Sequence, residues 1–164
     1  MEDLLELAVQ EALKFGAKYA EAKYQNAKLI HLELLNGNIR SSGFNAYRGI
    51  GIRVLVDKSF GFASTNALNK ESVIECAQKA VKIAKANTKG GVKEIERTRA
   101  YKDTIIVKAK VDPVNSDVDE IIKDLKDLDK RVQEAEPRTL MRTFGYTGVV
   151  QERDYVNSDG SKIT

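Results

Sequence analysis

The chain has 164 residues, enough for one domain or two small interlocked halves at about 100–200 residues per domain. It carries 27 Lys and Arg against 24 Asp and Glu, a net charge of +3, with 42% apolar residues. Mixed signs spread along an apolar-rich chain exclude a disordered tail and a histone-like basic arm. No apolar run approaches the roughly 18 residues of a membrane-spanning helix. Met1 is followed by Glu2, Asp3 and Glu6, where an export signal would place positive charge, so the expected address is cytoplasmic with no membrane contact. One cysteine, Cys76, excludes an internal disulfide, and with one histidine, His31, a four-ligand structural zinc site is not expected.

Leu4, Leu5, Ala8, Val9, Ala12 and Leu13 recur at helical spacing behind Glu2 and Asp3, and Gly16 follows as a stop, which predicts an amphipathic helix. The period then becomes two. Ala20, Ala22 and Tyr24 alternate with Glu21 and Lys23, and Ile30, Leu32 and Leu34 alternate with His31 and Glu33, which predicts two strands. Asn36-Gly37 suits a tight type I′ hairpin turn. A second hairpin is expected over Ala46 to Thr65, with Ile50, Ile52, Val54 and Val56 on one face and a turn at Asp57-Lys58.

Val73, Ile74, Ala77, Ala80, Val81 and Ala84 restore helical spacing, with Asn69 as N-cap and Asn87 to Gly91 as stop. The polar stretch from Thr88 to Asp103 reads as an exposed connection and marks a subdivision near 88–103. A short strand is expected over Thr104 to Val111, then a turn at Asp112-Pro113. A helix opens at Ser116 with Asp119 as an approximate capping box, buries Val118, Ile121, Ile122, Leu125, Leu128 and Val132, and ends at Pro137. Its acids Asp117, Asp119, Glu120, Asp124, Asp127 and Asp129 interleave with Lys123, Lys126 and Lys130 as on an ordinary solvated face. Two further strands, Arg138 to Tyr146 and Gly148 to Val156, and a turn at Asn157 to Gly160 close the pattern. Segregated strand and helix runs predict an α+β fold with largely antiparallel sheets and three helices. A loose echo between the two parts fits two similar interlocked α/β halves. The restarted strand Ser161 to Thr164 lacks an evident partner, and the expectation is that the chain is the front part of something longer.

The residues offer little chemistry. Gly49-Ile50-Gly51 begins like a dinucleotide fingerprint, but Val54 stands where the third glycine belongs and a strand follows, so the nucleotide reading fails. Glycines in a strand point instead to a bulge or to close approach of another backbone. His31 reads as a half-exposed surface residue and Cys76 as a small buried apolar one. Tyr24, Phe44, Tyr47, Phe60 and Phe62, with Arg40, Arg48 and Arg53 nearby, give stacking on single-stranded nucleic acid a small prior. Aromatics in strands mostly fill cores, and nucleic acid is not an expected partner. No set of nucleophile, base and electrophile assembles from this chain.

Tyr19-Ala20-Glu21-Ala22-Lys23-Tyr24-Gln25, the hairpin Leu35-Asn36-Gly37 and above all the run from Arg48 to Asn66 resemble the N-terminal domain of the TldD/PmbA family. Tyr155 to Gly160 looks like the strand and turn that lead out of that domain. The resemblance covers most of residues 18 to 160 and is firmest between Tyr47 and Asn66. It implies membership of a group first described as modulators of DNA gyrase and now regarded as cytoplasmic zinc metallopeptidases. Such proteins act on unfolded or small peptides, including precursors of peptide antibiotics and antitoxins, as homodimers or beside a silent paralogue. The family holds zinc with the two histidines of a His-Glu-x-x-x-His helix and a later cysteine, all downstream of this domain. Neither His31 nor Cys76 matches those ligands, so no catalytic or metal-binding residue carries over and zinc is implied only for the full-length family.

The expectation that follows is a single TldD/PmbA-like N-terminal domain over 1–164, inactive alone, which shapes access of peptides to a zinc site carried by an absent C-terminal part. The competing expectation is a stand-alone interaction or regulatory module, such as a partner subunit or a gyrase modulator, without peptidase activity. Arg48, Gly49, Gly51, Arg53, Ser64 and Asn66 are the candidate peptide-groove or interface residues. A strand edge there binds extended chains through backbone hydrogen bonds, and Arg48 and Arg53 offer a grip on a carboxylate or carbonyl.

Overall fold

The computed structural model describes residues 1–87, 91, 95–97 and 99–164. The predicted segregation of helices and strands holds, and the fold is α+β. Among the described residues, three helices accompany a six-stranded, mostly antiparallel sheet. No helix among the described residues is long and apolar enough to cross a membrane.

Residues Met1–Asn26, Arg48–Ile106 and Glu152–Thr164 form one compact unit, and Ala27–Tyr47 with Val107–Gln151 form a second. In the first unit, helix α1 (Glu2–Lys14) buries Leu5, Ala8, Val9 and Ala12, the stripe its spacing predicts. Glu2 and Asp3 sit in its first turn, where the helix dipole favours negative charge. Fully burying a side chain such as Leu5 or Val73 contributes about 1.5–3 kcal/mol. Helix α2 (Lys70–Ala86) opens as expected on Asn69, whose side chain accepts from the Ser72 amide at 2.9 Å. It buries Val73, Cys76, Ala77, Ala80, Val81 and Ala84.

Strands β1 (Tyr19–Leu35) and β2 (Asn38–Val56) complete the core of the first unit with Ala20, Ala22, Tyr24, Ile50, Ile52, Val54 and Val56. Strand β3 (Ser59–Thr65) pairs antiparallel with β2 from Val56↔Ser59 to Ile50↔Thr65. Gly61 makes its seat on α2 possible, because a Cβ there would fall on the Ala80 carbonyl oxygen and 2.6 Å from the Ala84 amide nitrogen. Ser59 Oγ donates to the Asn87 carbonyl at the same junction.

The two predicted strands between Ala20 and Leu34 are one strand. No Gly or Pro stands between Tyr24 and Ile30 to break the ladder. Strand β2 likewise starts at Asn38, well before Ala46. Its stretch from Asn38 to Arg48 is exposed on both faces, so no alternation betrays it. The hairpin turn keeps its predicted chemistry, with φ of +49° at Asn36 and +75° at Gly37.

In the second unit helix α3 (Val118–Ala135) packs Ile121, Ile122 and Leu125 against Leu32, Leu34, Phe144 and Tyr146. Three expectations for this helix change. Its N-cap is Asp117, which accepts from the Asp119 amide at 2.9 Å, while Ser116 Oγ instead donates to the Asp112 carbonyl at 2.7 Å. Val118, Leu128 and Val132 are 38%, 46% and 38% exposed, so the apolar stripe is narrower than its spacing implied. Asp129 leaves the predicted solvated face: it is buried in a two-pronged ion pair with Arg142, Nε to Oδ1 at 2.9 Å and Nη2 to Oδ2 at 3.2 Å. Arg142 Nη1 also donates to the Thr139 carbonyl at 3.0 Å, and the Arg142 amide donates to Asn36 Oδ1 at 2.8 Å.

The two strands predicted across Arg138 to Val156 are a single strand β5 (Thr143–Asn157). Gly148 lies inside it at a close approach, since a Cβ there would meet the Pro113 carbonyl and sit 2.8 Å from Ile30 Cγ2. The predicted strand over Thr104 to Val111 is absent. Only β4 (Lys102–Asp103) forms, and Ile105, Ile106 and Val107 are 63%, 75% and 88% exposed. β-branched composition expresses packing on a neighbouring surface, and that stretch has none to pack on.

The last strand, β6 (Lys162–Ile163), does have partners. It pairs antiparallel with Tyr155–Val156 and parallel with β4, giving the sheet order β3-β2-β1-β5-β6-β4. The connection expected over Thr88 to Asp103 falls largely on residues 88–90, 92–94 and 98, outside the described residues.

Candidate functional site

Alternation along β2 sends Ile50, Ile52 and Val54 into the core of the first unit. Gly51 and Arg53 therefore point to the opposite face. Antiparallel register sets Ser64 opposite Gly51 and Phe62 opposite Arg53, so residues of both strands share that face. With no side chain at Gly51, the Phe62 ring lies 3.1 Å from where a Cβ would stand. Phe62 is 58% exposed.

Arg53 is held from two sides. Its Nε meets Glu21 Oε1 at 2.7 Å, and its guanidinium carbon lies 5.3 Å from the centre of the Phe60 ring. Glu21 Oε2 in turn accepts from the Tyr19 hydroxyl at 2.8 Å and the Tyr155 hydroxyl at 2.9 Å, and the two hydroxyls stand 3.2 Å apart. Burial first, and then the neighbouring hydroxyl and the Glu21 carboxylate, push the Tyr19 pKa well above its ordinary value. Burial above all pushes Tyr155 up as well; the hydrogen bond with the Tyr19 hydroxyl opposes it and the Glu21 carboxylate adds to it. Both phenols are thus held neutral and donate to a carboxylate whose oxygens are all engaged. Neutral phenols that donate to an engaged carboxylate are poorly suited to abstract protons, and they hold Glu21 in place beside Arg53.

Of the six sequence candidates, Gly51, Arg53 and Ser64 share this face. Gly49 supports the expected close backbone approach, because a Cβ there would stand 2.8 Å from the Thr65 carbonyl oxygen. Arg48 and Asn66 are exposed and lie beyond the rung Ile50↔Thr65. Tyr19, Glu21, Phe60 and Tyr155 were not singled out as site residues. The outward direction of Tyr19 and Glu21 was legible from alternation with Ala20 and Ala22, whereas the meeting of Glu21 with Tyr155, 134 positions away, was not. Of the aromatics weighed for nucleic-acid stacking, Tyr24 is buried in the core.

The zinc that the resemblance implies does not fit the side chains present. Among the described residues, no three His, Cys, Asp or Glu side chains converge as metal ligands. His31 Nδ1 lies 3.5 Å from Thr147 Oγ1 and its Nε2 3.4 Å from Ser41 Oγ. Cys76 faces the α1–α2 core, where burial pushes its thiol pKa up, away from the thiolate a metal binds.

Comparison with known proteins agrees with this architecture. Residues 20–84 match the model of the PmbA/TldA metallopeptidase domain 1. A metalloprotease of Methanocaldococcus jannaschii is 27% identical over 159 residues, which cover 94% of this chain and 34% of that protein. TldE of Thermococcus kodakarensis has the same fold with a TM-score of 0.69 at 20% identity, over 97% of this chain and 36% of its own. A candidate modulator of a DNA gyrase from Thermotoga maritima gives 0.63 at 20% identity, over 98% and 36%. The chain thus spans about a third of the length of the relatives it matches. In the matched domain and in fold, the chain is similar to the N-terminal domain of the TldD/PmbA family.

Proposed function

We propose that this chain serves a TldD/PmbA-type metalloprotease as a non-catalytic domain, guiding peptides or unfolded protein toward a zinc site held by another part of the family's longer architecture. The observation that carries this reading is the exposed β2–β3 face. Gly51, Arg53, Phe62 and Ser64 stand there in fixed register on the stretch that most resembles the family, with Glu21, Tyr19 and Tyr155 ordered beside Arg53. A metalloprotease relative about three times as long supports the division of labour. In this reading the assembly works in the cytoplasm as a homodimer or beside a paralogue, and zinc belongs to the whole protein.

The test is an assay of residues 1–164 with excess zinc against casein and a fluorogenic unfolded peptide. The expected result is no hydrolysis, together with measurable binding of a labelled extended peptide that weakens in Phe62→Ser. Stoichiometric zinc retention with cleavage overturns the reading, as does the failure of every extended peptide to bind.

A further inference from the structure

The Arg53 guanidinium is more organised than a surface arginine in a strand needs to be. A solvated arginine samples many rotamers, and fixing it costs side-chain entropy. Here Glu21 fixes the Nε edge at 2.7 Å, Phe60 lies against the planar face at 5.3 Å, and the two tyrosine hydroxyls hold Glu21 in place. An exposed ion pair contributes only about 0–1 kcal/mol, so stability is a weak reason for so many supports.

Nε lies against Glu21 while the Arg53 side chain remains 52% exposed, so part of the guanidinium is open to solvent. A planar fork with two parallel N–H groups matches a carboxylate and gives poor service to a lone carbonyl. Directly across the ladder stands Phe62, an exposed ring of 58%, so an apolar side chain fits beside the charge.

We propose that Arg53, backed by Glu21 and Phe60, is a carboxylate-reading position on the peptide-binding face, taking an extended peptide whose carboxylate lies next to an apolar side chain seated on Phe62. This rests on the peptide-guiding function proposed above and adds a preference to it. A free C-terminus and an internal Glu or Asp present the same group, and the test separates them.

Three labelled octapeptides of one apolar-rich sequence are titrated by fluorescence anisotropy at low and at physiological salt. One has a free C-terminal carboxylate, one is amidated, and one is amidated with an internal Glu beside the apolar anchor. At low salt the carboxylate-bearing peptide binds about fivefold tighter than the amidated one, the gain expected from an exposed charge-assisted pair. Whichever carboxylate peptide shows the gain names the source. Arg53→Gln removes the difference between the carboxylate-bearing and amidated peptides. Arg40→Gln, which deletes the same charge from the exposed pair with Glu33, retains it. Equal binding of carboxylate and amide peptides, or a gain that survives Arg53→Gln, overturns the inference and leaves peptide guiding intact. Absence of binding by all three peptides overturns both.

Discussion

Replacing Arg142 by Met tests whether the second unit is held by a buried charge pair. Arg142 and Asp129 side chains are 9% and 6% exposed and share two hydrogen bonds of 2.9 and 3.2 Å. Arg142→Met leaves the Asp129 carboxylate buried without its partner, a situation that costs about 3–5 kcal/mol. Losing the bond from Nη1 to the Thr139 carbonyl adds about 1 kcal/mol. Asp129→Leu, which strands the guanidinium, carries a cost of similar size. The double variant Arg142→Met with Asp129→Leu removes both charges and fills the space with apolar atoms, and its stability is expected within about 1–2 kcal/mol of the parent. Urea unfolding followed by far-ultraviolet circular dichroism gives all four free energies of the cycle. Additive costs in the double variant, or single costs below about 1 kcal/mol, would refute the account, since an exposed pair behaves in that way.

Two other predictions concern the first unit. Gly61→Ala drives a methyl group into the Ala80 carbonyl and the backbone at Ala84, and overpacking of this kind costs about 1–3 kcal/mol. An unchanged thermal midpoint would mean that β3 does not press on α2. The second concerns alkaline pH. Tyr19 and Tyr155 titrate above the ordinary phenol value of 10.0, so the folded state favours their neutral forms. Their contribution to stability is fully present below that value and is lost as pH rises through the raised folded values. Glu21→Gln removes a carboxylate that raises both, so tyrosinate absorbance at alkaline pH should begin at lower pH than in the parent. Superimposable titrations would contradict the network.

Local chemistry was enough to read much of this fold. The Asn69 cap, the Gly16 stop, the Asn36-Gly37 turn and the buried stripes of α1 and α2 each depend on residues within one or two turns of each other. The energies that decide them are therefore present in any short window. The α+β class follows from the same signals, because period and punctuation set which segments are helix and which are strand. Alternation and the Asp57-Lys58 turn located the second hairpin, and the resemblance of Arg48 to Asn66 put Gly51, Arg53 and Ser64 among the candidates.

Other features needed the folded chain. The exposed start of β2 has no alternation, and the close approach of Pro113 to Gly148 joins residues 35 positions apart. Asp129 has the same sequence surroundings as its solvated neighbours, and only Arg142, brought over from β5's approach, makes it a buried anion. Glu21 joins Tyr155 across 134 residues, and Arg53 acquires its direction from that meeting. Strand alternation determines that a side chain faces outward. What it meets there depends on register with strands distant in sequence, which is fixed by the summed burial of the whole sheet and not by any local preference.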